Sequence, residues 1–216
     1  MLILNTLNQP LTLIGLVVGL LLGITVHEFA HAWMADRLGD DTARLMGRLS
    51  LNPLKHLDPL GVIFLLIVGF GWGKPVPFNP NKIKDPSGTV KIALSGVVAN
   101  LLLALILGLV LRVATAYGIA IDSSPWLSFI SIIIFINLGL IAFNIIPIPP
   151  LDGSKVVESY MSFESIMRFE RLGPIILFGI IIAQSIFNIP ILFTVLEPII
   201  RFLSFVTTGM ANLFGL

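Results

Sequence analysis

The chain has 216 residues, of which 56% are hydrophobic and 12% charged, with a net charge of +1; its mean hydropathy is +0.99. Soluble globular proteins carry roughly a quarter charged residues, so this composition excludes a water-soluble domain and implies an integral membrane protein. The small net charge gives no reason to expect nucleic-acid binding, and the absence of cysteine excludes a disulfide framework and a thiolate metal site.

The N-terminus has no basic segment and no small-residue cleavage site, so it does not read as a cleavable signal peptide. The first apolar span runs from Leu11 to Ala35, about 37 Å as a helix at 1.5 Å per residue. A polar connection follows. Within it, "GRLSLNP" (Gly47 to Pro53) and "KPVPFNP" (Lys74 to Pro80) read as short strands. The prolines suit the second to a sheet edge, because proline cannot donate to a ladder. Between them, Leu60 to Phe70 is apolar but shorter than the roughly 20 residues a spanning helix needs, so it reads as a re-entrant or interfacial segment.

Val90 to Ala116 and Pro125 to Ile146 are the second and third spans. Pro174 to Phe187, with a start that can extend back toward Phe169, and Ile191 to Leu213 are the fourth and fifth, divided by Asn188-Ile189-Pro190. A helical hairpin that does not fully cross is the alternative for this last pair. The expectation is therefore an all-α polytopic membrane protein. It has about five transmembrane helices and a short re-entrant/β-hairpin element between the first and second. Residues 1–216 form one membrane-embedded domain, with a core over about 11–190.

Lysine and arginine set the orientation. Arg37, Arg44, Arg48, Lys55, Lys74, Lys82, Lys84 and Lys91 follow the first span, and Lys155, Arg168 and Arg171 follow the third. The connection between the second and third has only Arg112. The positive-inside rule places the first and third connections in the cytoplasm and the N-terminus outside. The protein is expected in the plasma (cell) membrane, with its site toward the cytoplasmic side.

The first span ends in "VHEFAHAW", Val26 to Trp33. His27 and His31 are four residues apart and share a helix face, so both imidazoles can grip one Zn²⁺. Glu28 is placed to act on a water there as general base, and His-Glu-x-x-His is the metalloprotease signature for that reason. On an exposed helix the pattern can arise by chance. Ionisable groups at membrane depth are costly and functional by default, which favours a metal site here.

Zinc needs a third protein ligand. Among the carboxylates the best placed is Asp152, in the proline-broken "FNIIPIPPLDGS". Irregular backbone near membrane depth lines a cavity or is buried in protein. The competing reading makes "PPLDG" a cytoplasmic turn, with Asp152 capping the amphipathic stretch Ser154 to Ser162. The residues alone leave both readings open.

Taken together, "HEFAHAW", "NIIPIPPLDG" and the intervening "SGVVAN" (Ser95 to Asn100) resemble the motifs of the site-2 protease family of intramembrane zinc metalloproteases. Val97 stands where that family usually has proline. The resemblance implies that His27, His31 and Asp152 bind zinc and that Glu28 is the general base. It also implies that Asn144 lies near the site, where its amide can hydrogen-bond an oxyanion or fix substrate backbone; an interhelical polar contact is the alternative. Asn100 reads as helix packing beside Ser95, Gly96 and Ala99. His56 reads either as a residue that reaches the metal or substrate or as a plain loop histidine.

The implied substrates are transmembrane helices of other proteins, cut within or near the lipid bilayer. Lys74 to Pro80 is a candidate edge to bind an unwound substrate by strand addition. The family's appended PDZ and nucleotide-sensing domains have no counterpart in this sequence, which leaves substrate selection to the membrane core or a regulatory membrane partner. The competing classes are a non-catalytic metal-binding or transport protein, in which Glu28 supports a ligand, and a pseudoprotease that only binds membrane helices.

Overall fold

A computed structural model describes residues 9–68, 71–187 and 189–215. Among the described residues, four helices are long and apolar enough to cross a membrane: α1 (Pro10–Arg37), α4 (Gly88–Ala116), α5 (Pro125–Asn144) and α8 (Ile191–Thr208). Between α1 and α4 lie the one-turn α2 (Thr42–Leu45) and the ten-residue α3 (Pro59–Val68). After α5 come α6 (Gly153–Glu158) and α7 (Phe163–Phe187).

Helices α1, α4 and α5 pack against one another, and α8 packs on α4 and α5. The reason is written along α1. Gly15, Gly19 and Gly23 recur every fourth residue and are buried. A Cβ on Gly15 would lie 3.2 Å from Ile132, one on Gly19 3.1 Å from the Ile133 backbone, and one on Gly23 2.5 Å from Leu140. Small residues at this spacing let two helix backbones approach closely, which matters in lipid because apolar side chains gain nothing there by leaving water.

Between α4, α5 and α8 the core is aliphatic, with Ala104, Leu111, Ile134, Leu138, Ile141 and Ile200 buried. The outward faces stay apolar. Leu102, Ile106 and Leu109 on α4 and Ile14 and Val17 on α1 are exposed, as the face of a helix in lipid must be.

Helices α1, α4 and α5 follow the first three expected spans closely, whereas the fourth expected span, α7, is not among the described helices long and apolar enough to cross. The largest differences are in the last two. Helix α7 starts at Phe163, further back than Phe169, and carries Glu164, Arg168, Glu170 and Arg171 ahead of its apolar half. Helix α8 ends at Thr208, where Gly209 takes a left-handed φ of 80° and its N–H donates to the Phe205 carbonyl, and Arg112 donates to the carbonyls of Phe205, Val206 and Thr207 in this last turn.

The connection between α1 and α4 departs from expectation. Among the described residues no sheet forms, and the pairing there is one isolated antiparallel bridge between Leu57 and Gly73. Leu60 to Phe70 supplies α3, with Gly69 and Phe70 outside the described residues. Residues 71–79 form neither a helix nor a paired strand. Pro75, Pro77 and Pro80 remove the donors that a ladder needs, and side chains hold the segment instead. Arg48 donates to the carbonyls of Lys74 (2.6 Å) and Pro75 (3.1 Å). The Lys74 N–H donates to the His56 carbonyl at 2.8 Å, and the Asn79 N–H to buried Asp40.

Candidate metal centre

On α1, His27 and His31 lie one turn apart, with ring centroids 4.5 Å apart and planes nearly perpendicular. The third group arrives from beyond α5. There the chain leaves the helix at Ile145, passes Pro147, Pro149 and Pro150, and re-enters a helix at Gly153. The turn is tight: a Cβ on Gly153 would lie 2.2 Å from the Ile145 carbonyl oxygen. It brings Asp152 Oδ2 to 3.0 Å from His27 Nε2 and 3.3 Å from His31 Nε2. Asp152 occupies the N-cap position of α6, yet its side chain makes no capping hydrogen bond. Its carboxylate faces the histidines, against the reading of a simple capping turn.

The protonation of His31 follows from its partner. Nδ1 lies 2.7 Å from the Ile92 carbonyl. A carbonyl only accepts, so Nδ1 carries the hydrogen, and when the ring is neutral Nε2 presents a lone pair. A lone pair and a carboxylate oxygen facing each other in a buried pocket repel unless a cation lies between them. Asp152 Oδ2 is buried without a hydrogen-bond partner. Two imidazoles and one carboxylate, all within 4.8 Å of one another, are the nitrogen and oxygen donor set that suits Zn²⁺ with a fourth position open. The residues present therefore fit zinc.

Next to His27, Glu28 points into the same cavity, of about 560 Å³, which is also lined by Trp72, Val76, Asn144 and Asp152. Glu28 Oε2 accepts a hydrogen bond from the Val76 N–H at 3.0 Å. The segment 71–79 thus roofs the site and holds one carboxylate oxygen. Nothing in the spacing of Glu28 and Val76 announces that contact. The Trp72 ring packs at a tilt 5.2 Å from Phe64 of α3 and edge-to-face 6.0 Å from Phe178 of α7, joining roof and wall.

Asn144 lines the cavity from the last turn of α5 and donates through Nδ2 to the Leu140 carbonyl at 2.9 Å; its second amide N–H remains available. His56 stands apart. It is fully buried, and its Nε2–H donates to the Ser50 carbonyl at 2.6 Å, so it ties the loop together and is not part of the metal cluster.

A glycine completes the arrangement. Gly96 of α4 lies against the His27 imidazole, and a Cβ there would come within 2.6 Å of the ring. The sequence motif "SGVVAN" therefore acts sterically, because it admits a ligand side chain between two packed helices.

The family model for peptidase family M50 matches residues 15–120 and 108–186. The chain belongs to this family, the site-2 proteases. It is similar to "Putative zinc metalloprotease YwhC" of Bacillus subtilis, 46% identical over 157 residues that cover 70% of this chain and 72% of that protein. It is also similar to "Putative zinc metalloprotease Rip2" of Mycolicibacterium smegmatis, 30% identical across 73% of this chain and 62% of that protein. The protein of the same name from Mycobacterium tuberculosis is 27% identical across 85% of this chain and 72% of that protein. No solved structure matches. The chain is thus a membrane metallopeptidase, and the His-His-Asp cluster is the group of side chains that fits its zinc.

Proposed function

We propose that the protein is an intramembrane zinc metalloprotease that hydrolyses peptide bonds in the transmembrane segments of other membrane proteins, in the manner of regulated intramembrane proteolysis. The observation that carries this is the convergence of His27 Nε2, His31 Nε2 and Asp152 Oδ2 between apolar helices, with the Glu28 carboxylate in the same cavity. His27, His31 and Asp152 would hold the zinc and Glu28 would be the general base. Zinc, when bound, supplies Lewis-acid polarisation of the scissile carbonyl. Glu28 accepts a proton from the attacking water and returns it to the leaving amine. The free N–H of Asn144 is placed to fix substrate backbone.

A helix hides its carbonyls in its own hydrogen bonds, so a substrate helix must unwind before it is cut, and the cavity beneath residues 71–79 is where the unwound chain would lie. In this reading α7 is a fifth span, its charged first half lies at the cytoplasmic surface, and the site opens toward the cytoplasm of a cell membrane. Because the chain has no native cysteine, a single cysteine at position 84 reports the side directly. Labelling only from the outer face would reverse the orientation.

Two variants separate metal binding from chemistry. Asp152→Ala should weaken zinc retention sharply. Glu28→Gln should retain zinc and lose about 100- to 10,000-fold in cleavage of a membrane-helix substrate. Zinc content and cleavage are measured on the same purified protein. Full zinc occupancy in Asp152→Ala refutes the ligand assignment, and normal cleavage by Glu28→Gln refutes the mechanism.

A further inference from the structure

The two histidines differ in what supports them. His31 has the Ile92 carbonyl on Nδ1. His27 has no protein partner there, and its Nδ1 is buried and unpaired. For His27 Nε2 to face a metal with a lone pair, Nδ1 must carry the hydrogen, and a buried N–H without an acceptor is costly.

Three further unpaired polar atoms lie close by in the fold. Asn100 of α4 is fully buried, and neither its Nδ2 nor its Oδ1 has a partner; Asn137 of α5 is fully buried, and its Oδ1 has none. Helix register brings them to one level. His31 meets Ile92 and His27 meets Gly96, so α4 runs antiparallel to α1, and Asn100, one turn beyond Gly96, falls beside Gly23. A Cβ on Gly23 would lie 3.2 Å from Asn137 Oδ1. Helix register therefore places Asn100 and Asn137 at the level of Gly23, one turn below His27.

Their chemistry is complementary. His27 offers one N–H, the Asn100 amide offers donors and an acceptor, and Asn137 offers a carbonyl oxygen whose own amide nitrogen is engaged by Ile133 at 2.8 Å. Buried waters commonly make about three hydrogen bonds to such groups. We propose that Asn100 and Asn137 are positioning residues for the zinc site: through a buried water between α1, α4 and α5 they accept the Nδ1–H of His27, fix its tautomer and hold Nε2 toward the metal. This rests on the assignment of His27 as a ligand. The outer partners of a ligating histidine tune its basicity and orientation, and their loss typically lowers metal affinity about 10- to 100-fold.

The test is zinc affinity of the purified full chain, measured by chelator competition, for Asn100→Leu and Asn137→Leu in the parent and in a His27→Ala background. Leucine keeps the volume and suits lipid, and the two sites lie on different helices, so misfolding of one variant leaves the other informative. Each is expected to lower zinc affinity at least about tenfold in the parent and by much less in His27→Ala. The Co²⁺-loaded variants should show a changed d–d absorption. Unchanged zinc affinity in both variants overturns the proposal, and so does an equal loss in the two backgrounds, which marks a general packing defect. If His27→Ala alone leaves zinc affinity intact, the ligand assignment fails instead.

Discussion

The two walls of the site are built on different principles. The helical wall, α1 against α4 and α5, is closed by glycines and satisfied by its own backbone hydrogen bonds. The roof, residues 71–79, has no paired strand and is held by tethers from Arg48, His56, Glu28 and Asp40. One wall is fixed by shape and the other by polar contacts. Shape tolerates almost no added volume, whereas tethers can be cut one at a time.

That contrast is broken most sharply at Gly96. Gly96→Ala adds a methyl where the His27 ring already lies. Zinc affinity should fall about 10- to 100-fold, the range for a misoriented ligand, while the variant still folds; chelator competition measures it. An unchanged affinity would mean that the helices spread easily and that the wall is not set by shape. Gly23→Leu acts on the same wall further from the metal. Its added atoms meet Leu140 and Asn137, and overpacking of this kind costs about 1–3 kcal/mol, read as a lower midpoint of thermal unfolding in detergent.

The roof should respond differently. Arg48→Ala removes two charged donors from the Lys74 and Pro75 carbonyls, each worth about 1.5–3 kcal/mol. Zinc content should not change. Amide exchange across 71–79 should quicken, and KM for a membrane-helix substrate should rise several-fold. If zinc is lost with the tether, roof and wall are one cooperative unit. The smallest effect concerns Asp40. Burial pushes its carboxyl up, but the Thr42 hydroxyl and the N–H groups of Asn79 and Thr42 outweigh burial and hold it below the ordinary carboxylate value. A depressed value stabilises the folded form above the ordinary range and is lost as the pH falls through the depressed value. Roof exchange, corrected for its intrinsic pH dependence, should therefore be flat from about pH 8 to about pH 5 and rise only in stronger acid.

The wall is far more legible in the sequence than the roof. The His27/His31 pair needs only helical spacing, and Asp152 stands out because prolines break the chain beside it. The Gly15, Gly19 and Gly23 repeat is equally visible, but its meaning as a packing stripe depends on the partner helix that it meets. In the roof, the proline-rich Lys74 to Pro80 reads as an edge strand, but Pro75, Pro77 and Pro80 leave too few donors for a ladder. The side-chain contacts that replace it join residues 26 to 48 positions apart, and their partners are backbone atoms. Backbone partners leave no trace in residue type, so the tie between Glu28 and Val76 is invisible before the fold is known. The small neighbours of Asn100 suggest packing alone, whereas its unpaired buried amide gives it a polar role.

The hydrogen bond from Val76 to Glu28 also has an entropic side. A free glutamate samples many rotamers, and ordering one costs about 1.5–2 kcal/mol. Here one oxygen is already tethered to a backbone amide, so most of that ordering takes place once, when the chain folds, and is not repeated at each turnover.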